Sequence, residues 1–211
     1  MNIFPMPVKE GEDAQRGFFV GKTRSGKTHA MMVAMRPFIG HTQIQILETK
    51  NDRGLLSLNV PKVETLRDIN KYKFPDYPIV MYKPNGATIA DKESLDRWFQ
   101  WIFERGNTLA FVDEVTQITS GTTPLPGFLD CYTRGSSRGI TVLAGNQFPN
   151  RIPKIIYTQA EHFYKFRLNH FEDRKIVASY THPAMINQVH DEHGFHYYFN
   201  GGDKVYYVKS L

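Results

Sequence analysis

The 211-residue sequence predicts one α/β domain with a mostly parallel β-sheet flanked by helices and a small C-terminal β-hairpin. Short apolar runs alternate with segments of helical periodicity, which is typical of successive β–α–β units. Polar or charged residues directly follow four of the apolar runs. Because the carboxyl ends of parallel strands meet at one edge of a sheet, these polar residues are expected to converge there.

The composition is that of an ordinary globular protein with a basic balance. The net charge is +5 and the pI is about 9.2, which suits contact with a phosphate backbone, although a lysine-rich surface would give the same numbers. The single cysteine, Cys131, excludes a disulfide within the chain. No apolar run approaches the ~20 residues of a membrane span and no signal peptide is recognisable, so a cytoplasmic protein that is not itself transmembrane is expected.

The first half of the chain should supply three strands. Prolines and clustered charges indicate an extended lead-in over residues 1–16, and Pro37 and Gly40 end the first helix. Residues 51–77 are expected to be irregular apart from one short helix. The predicted elements are Gly17–Val20 (strand), Lys27 to about Arg36 (helix), Gln43–Leu47 (strand), about Val63–Ile69 (short helix) and Ile79–Tyr82 (strand).

The second half continues the alternation. Ser94 is predicted as the N-cap of a helix with an apolar face that ends at Gly106, and a loop follows over Thr119–Pro126. Residues 169–211 are expected to form an appendage. The predicted elements are Leu109–Val112 (strand), Gly127 to about Arg134 (helix), Ile140–Ala144 (strand), Ile152–Thr158 (helix), His162–Leu168 (strand), and a hairpin of Phe195–Phe199 and Val205–Val208.

The loop between the first strand and the first helix matches the Walker A pattern G-x-x-x-x-G-K-[ST]. Its glycines let the backbone N–H groups turn toward phosphate oxygens, and the following helix adds its positive N-terminal end. A lysine at this position reaches the β- and γ-phosphates, and the adjacent hydroxyl can ligate Mg²⁺. The predicted ATP-binding residues are Gly21, Lys22, Thr23, Arg24, Ser25, Gly26, Lys27 and Thr28.

Asp113 and Glu114 follow the apolar strand Leu109–Val112, at the position of a Walker B motif. A carboxylate at Asp113 can hold Mg²⁺ together with Thr28. Because neighbouring side chains of an extended segment point to opposite sides, Glu114 can face an attacking water as general base. Gln147, at the end of the next strand, could contact the γ-phosphate or orient that water. These motifs predict a P-loop NTPase fold of the RecA/ASCE type.

Hydrolysis of a triphosphate also needs positive charge on the transition state. Arg134 and Arg138 flank Gly135-Ser136-Ser137 and should not easily reach their own site. In a ring either could act on a neighbouring subunit's nucleotide as an arginine finger, with Arg138 favoured; a solvated surface pair is the alternative. Arg24 is a third candidate and could contact the nucleotide of its own subunit.

Taken together, residues 17–168 resemble the FtsK/HerA superfamily of DNA-pumping P-loop ATPases. The most specific part is the stretch from Ser137-Arg138-Gly139-Ile140 to Gly145-Asn146-Gln147-Phe148-Pro149, which is similar to the superfamily's Gly-Arg…Gly-Ile…Thr-Gln-x-Pro signature. The small size resembles the genome-packaging ATPases of tailless double-stranded DNA viruses with internal membranes. Asn146 and Ser137 depart from the residues frequent in cellular relatives, Thr and Gly.

The resemblance implies a ring, expected to be a hexamer, that uses ATP and Mg²⁺ to drive viral double-stranded DNA into a preformed capsid. Its partners would be the DNA backbone and a capsid or internal membrane protein at the packaging vertex of the virion, with the host cytoplasm as a second location. DNA contact would be through charge without base reading. The candidate pore-facing residues are Lys50, Arg53, Lys71, Lys73 and Lys83.

Other functions stay open at the level of sequence: a cellular-type DNA pump, a partition ATPase suggested by Lys22, a small-molecule kinase, or a nucleotide-binding protein without catalysis. A partition ATPase would have Gly-Gly after that lysine, and no arginine-rich lid of a kinase is recognisable. Four histidines lie close together in sequence but lack zinc-ligand spacing, so they are predicted to be surface residues: His182, His190, His193 and His196.

Overall fold

A computed structural model describes residues 3–7, 12–120 and 123–211. Within these ranges a nine-stranded sheet has the order β11-β10-β9-β1-β8-β5-β2-β4-β3. The seven strands from β9 to β3 are mutually parallel, whereas β10 is antiparallel to both of its neighbours. The predicted mostly parallel sheet with a C-terminal hairpin is therefore confirmed.

The strands are β1 (Arg16–Val20), β2 (Gln43–Leu47), β3 (Lys62–Val63), β4 (Ile79–Tyr82), β5 (Thr108–Val112), β6 (Thr119–Ser120), β7 (Thr123–Pro124), β8 (Thr141–Asn146), β9 (His162–Lys165), β10 (Phe195–Phe199) and β11 (Val205–Val208). The helices are α1 (Lys27–Met35), α2 (Arg53–Leu56), α3 (Leu66–Ile69), α4 (Gly86–Ala90), α5 (Lys92–Arg105), α6 (Pro126–Thr133), α7 (Lys154–Gln159) and α8 (Phe171–Tyr180). Short 3₁₀ turns cover Arg36–Phe38, Val115–Ile118, Ser136–Arg138, Pro149–Arg151 and Pro183–Ile186.

Two apolar layers cover the faces of the sheet. On one face, Met31 and Met35 of α1 belong to an apolar cluster that also contains Phe111 and Leu143. On the other face, α5, α6, α7 and α8 form a larger layer centred on Trp98, Phe99, Phe128 and Tyr157. The central strands β5 and β8 are buried along their whole length, because both of their faces are covered. This core fixes the strand ends that carry the predicted site.

Some local predictions are wrong in detail. The N-cap of α5 is Asp91, whose carboxylate accepts from the Glu93 amide, while Ser94 lies inside the helix. Residues 51–77 contain two short helices and a short strand rather than one helix. The predicted loop Thr119–Pro126 includes the small antiparallel pair β6–β7. The cap differs because the Asp91 carboxylate reaches a backbone amide two residues away, whereas β3 forms by tertiary pairing with β4, which short segments of weak intrinsic preference follow.

The two ends of the chain are integrated into the domain. In the lead-in, whose residues 1–2 and 8–11 lie outside the described part, the Phe4 ring stacks on Tyr164 with centroids 5.4 Å apart. In the predicted appendage, β10 pairs with β9 and so extends the main sheet. Helix α8, which the sequence did not predict, packs Val177 into the larger layer. Among the described helices, none is both long and apolar enough to cross a membrane.

Candidate active site

The predicted phosphate loop, residues 21–28, lies at the carboxyl end of β1 and is anchored at its start. The Gly21 amide donates to the Asn146 carbonyl at 3.2 Å and the Lys22 amide to the Arg167 carbonyl at 3.0 Å. A Cβ atom at Gly21 would lie 2.5 Å from the Phe166 Cβ, so only glycine fits this approach. Gly26 has a φ of 90° and caps α1. The loop therefore curves back onto the helix N-terminus, as an anion-binding loop requires.

The Walker A and Walker B positions meet directly. The Thr28 hydroxyl donates to Asp113 Oδ1 at 2.8 Å, and both carboxylates at the end of β5 are buried. Lys27 is also buried; burial lowers the pKa of its ammonium, and the Asp113 carboxylate offsets part of that effect. The predicted juxtaposition of Lys27, Thr28 and Asp113 is therefore present in the fold.

Glu114 is held by several neighbours. Its Oε1 accepts from the Thr116 hydroxyl at 2.8 Å and from the Gln147 amide at 3.3 Å. Its Oε2 accepts from Lys50 Nζ at 3.0 Å. These contacts hold the Glu114 carboxylate at the same strand ends as the phosphate loop.

The end of β8 joins the two motifs. The Gln147 side chain accepts from the Thr23 hydroxyl at 2.8 Å, so it already contacts the phosphate loop. Asn146 is fully buried, and its Oδ1 accepts from the Thr116 amide at 3.1 Å. Its Nδ2 donates to the Phe148 carbonyl at 3.0 Å. Asn146 therefore orients the turn that carries Thr116, a role that sequence reasoning missed.

Lys50, one of the candidate DNA contacts, lies in this site, and any contact of it with DNA stays a prediction. Its Nζ lies 2.8 Å from Asp113 Oδ2 and 3.0 Å from Glu114 Oε2. Burial alone would lower the pKa of Lys50, but the two carboxylates outweigh it and raise that pKa above its usual value. Its place directly after β2 indicated the neighbourhood of the site, but it did not indicate the contact with the two carboxylates.

Glu48 shapes the turn that presents Lys50. Its Oε1 accepts from the backbone amides of Lys50 at 2.8 Å and of Asp52 at 3.0 Å. Asp52 in turn caps α2 by accepting from the Leu55 amide at 3.0 Å. These carboxylates thus fix the turn after β2 and with it the backbone position of Lys50.

The remaining DNA-contact candidates are distributed over both edges of the sheet. Arg53 and Lys83 follow β2 and β4 and so lie at the edge that carries the phosphate loop. Lys71 and Lys73 precede β4 at the opposite edge, and Lys71 pairs with Asp68. Any contact of these residues with DNA stays a prediction.

The two candidate arginine fingers do not reach the site of their own chain. They precede β8 and therefore lie at the amino ends of the strands. Arg138 donates to the carbonyls of Phe103 at 2.7 Å and Glu104 at 2.8 Å, which satisfies the end of α5. Arg134 pairs with Asp130 at 2.9 Å on the surface. A role in a neighbouring subunit stays a prediction. Arg24, in the loop itself, is exposed.

A cavity of about 330 Å³ opens beside the N-terminus of α1. It is lined by Gly26, His29, Phe166, His193, Ser210 and Leu211. His190 and His193 are exposed as predicted, whereas His196 is buried, and burial followed by the charge of Lys165 lowers its pKa to about 4. In the described ranges no group of three or more His, Cys, Asp or Glu residues is placed to hold a metal ion.

The donor set at Thr28 and Asp113 nevertheless fits Mg²⁺ bound together with a triphosphate. Mg²⁺ prefers oxygen ligands and is usually held by one or two protein groups plus phosphate oxygens. A hydroxyl and a carboxylate stand 2.8 Å apart here, and a lysine ammonium already lies against the second oxygen of Asp113. The Asp113 carboxylate is therefore placed to contact a positive charge.

Comparison with known proteins places the fold. No family model matches the chain, and no curated protein matches its sequence. The genome-packaging NTPase B204 from Sulfolobus turreted icosahedral virus 2, solved with AMPPCP, is 15% identical with a TM-score of 0.71, and all of both chains is covered.

Two further structures are similar. The first is B204, the DNA-packaging ATPase from Sulfolobus Turreted Icosahedral Virus. It is 17% identical with a TM-score of 0.72, and the match covers 96% of this chain and 100% of that one. The pCW3 conjugation coupling protein TcpA, solved with ATPγS, is 12% identical with a TM-score of 0.63, covering 100% of this chain and 70% of that one. The sequence-based resemblance to packaging ATPases is therefore confirmed for the fold: this chain has the fold of B204.

Proposed function

We propose that the protein is an ATPase that hydrolyses ATP at the carboxyl ends of β1, β5 and β8. The observation that carries this proposal is the fixed position of Glu114 beside the contact between Thr28 and Asp113. A buried carboxylate held at that point serves hydrolysis, whereas simple nucleotide binding would not need it.

The residues divide the work as follows. The backbone amides of residues 21–28 and the ammonium of Lys27 bind the phosphates. Thr28 and Asp113 would hold Mg²⁺, which would supply positive charge to neutralise the phosphates. Glu114 takes a proton from the attacking water, and Gln147 orients the water or the γ-phosphate. The cavity beside His29 and His193 lies next to the loop and would receive the ribose and base.

The finer proposal is that hydrolysis drives double-stranded DNA through a ring, expected to be a hexamer, into a preformed viral capsid. The similarity in fold to B204 and TcpA supports it, as does the basic net charge of +5. The ring would act at the packaging vertex of the virion, docked on a capsid or internal membrane protein, after synthesis in the host cytoplasm. In this ring Arg138 or Arg134 would reach the nucleotide of the neighbour.

ATP hydrolysis by the Glu114→Gln variant tests the catalytic part. Glutamine has nearly the same shape but cannot accept a proton, so the variant should bind ATP with unchanged affinity and release phosphate at least 100-fold more slowly. The matched control is Glu172→Gln, which removes a surface carboxylate in α8. Full activity in Glu114→Gln would remove Glu114 from its role.

Mixing two inactive variants tests the ring. Lys27→Ala disables a site in its own subunit, and Arg138→Ala would disable the neighbour's site. Mixed rings should recover part of the activity, because some interfaces then combine an intact Lys27 with an intact Arg138. Absence of recovery, with assembly verified by light scattering, would contradict action of Arg138 in trans.

A further inference from the structure

Lys50 lies between two buried carboxylates and the solvent. The side chain is 24% exposed, while those of Asp113 and Glu114 are 4% and 3% exposed. One ammonium thus contacts an oxygen of each buried carboxylate, at 2.8 and 3.0 Å, from the solvent-accessible side.

The two carboxylates could not lie unpaired in this environment. A buried ionised group is costly unless it is paired or hydrogen-bonded. Asp113 receives one neutral hydrogen bond, from Thr28, and its second oxygen faces Lys50. Lys27 is near but sits deeper, at the start of α1. On the solvent-facing side of Asp113, the balancing positive charge is therefore that of Lys50.

Resting on the proposed function of the site, we propose that Lys50 is a built-in counter-ion that competes with the divalent cation for Asp113. Lys50 and a divalent cation bound at Asp113 would weaken each other's binding, because their two positive charges would lie close together and repel. Lys50 therefore withdraws from Asp113 as the cation binds.

This competition also reaches Glu114. The same ammonium holds Glu114 Oε2, so its withdrawal leaves that oxygen without its partner while Oε1 keeps its bonds to Thr116 and the Gln147 amide. Lys50 is thus a positioning residue: it keeps the base engaged until the cation is present. Binding of the cation and release of Glu114 become parts of one event.

Mn²⁺ binding without nucleotide, followed by electron paramagnetic resonance, tests the proposal on the full chain. Lys50→Met removes the charge and keeps the length, so it should bind Mn²⁺ about tenfold more tightly than the wild type, in the ordinary range for coupled sites. Lys50→Arg keeps the charge and should resemble the wild type. Lys175→Met, which removes an exposed ion pair with Glu172, is the matched control and should change nothing.

Equal or weaker Mn²⁺ binding by Lys50→Met would overturn the proposal. If that variant does not fold, Lys50→Gln, which can still donate to the carboxylates, replaces it with the same expectation. Thermal denaturation gives a second readout: Mg²⁺ should raise the melting temperature of Lys50→Met more than that of the wild type, and an equal rise would count against competition. Neither readout contains ATP, so a wild type that fails to hydrolyse ATP would refute the proposed function without deciding this result.

Discussion

Replacement of the buried Lys165 by methionine should stabilise the protein at neutral pH. Lys165 lies in β9 with no exposed surface, and its Nζ donates to the Asn187 carbonyl. Burial, and then the charge of Arg174, lower the pKa of its ammonium from 10.5 to about 7. The folded protein therefore bears the cost of a proton that the unfolded chain binds readily.

The magnitude follows from that shift. One pKa unit corresponds to about 1.4 kcal/mol, so the buried ammonium costs at most about 5 kcal/mol at pH 7 and below. Methionine leaves the Asn187 carbonyl without its donor, which costs about 1–3 kcal/mol. Lys165→Met should then be more stable than the wild type by about 2–4 kcal/mol at pH 7.

The gap should shrink as pH rises from 7 to 10.5, because the unfolded wild type still binds a proton there that the folded protein has released, so the stability of the wild type increases with pH. Near pH 10 the main remaining difference should be the hydrogen bond to the Asn187 carbonyl, which Lys165→Met lacks. The variant should then be less stable than the wild type. Urea denaturation at several pH values measures both free energies, and Lys175→Met serves as the surface control. A difference that does not vary with pH would refute the reasoning.

Three further predictions concern buried groups. Asn146→Leu leaves the Thr116 amide and the Phe148 carbonyl without their partners. It should therefore lower the free energy of unfolding by about 2–5 kcal/mol in urea titrations and slow ATP hydrolysis. Unchanged stability would contradict the role assigned to Asn146. Gly145→Ala places a Cβ 2.7 Å from the Asp113 carbonyl oxygen and should lower the free energy of unfolding by about 1–3 kcal/mol. A variant that melts at the same temperature as the wild type would contradict this prediction. Burial raises the pKa of the Cys131 thiol to about 12, so the native protein should resist Ellman's reagent at pH 8 until it is unfolded, and rapid labelling would show an exposed thiol.

The strands and the phosphate loop could be predicted because their signals are local. Gln43–Leu47 and Ile79–Tyr82 have the predicted bounds, since their apolar patterns continue unbroken to a polar or turn residue. The meeting of Thr28 with Asp113 followed from topology, because parallel strands deliver their carboxyl ends to one edge. Local pattern and connectivity were sufficient for this part of the site.

The role of Lys50 could not be predicted in the same way. Nothing in the neighbouring sequence distinguishes a lysine that folds onto two carboxylates from one that stands in water; the difference depends on the side-chain path across from β2 to β5. Asn146 is similar, since its partners lie 30 residues away in sequence and two residues away. Helix α8 was missed because its apolar face is narrow, with only Val177 buried.

Phosphate release from ATP with and without double-stranded DNA tests the central claim most directly. A DNA-translocating ATPase should hydrolyse ATP faster when DNA is present, and the stimulation should weaken as salt rises, because the contacts are to the phosphate backbone. Glu114→Gln should abolish both the basal and the stimulated rate. A wild-type rate that double-stranded DNA leaves unchanged would contradict the account.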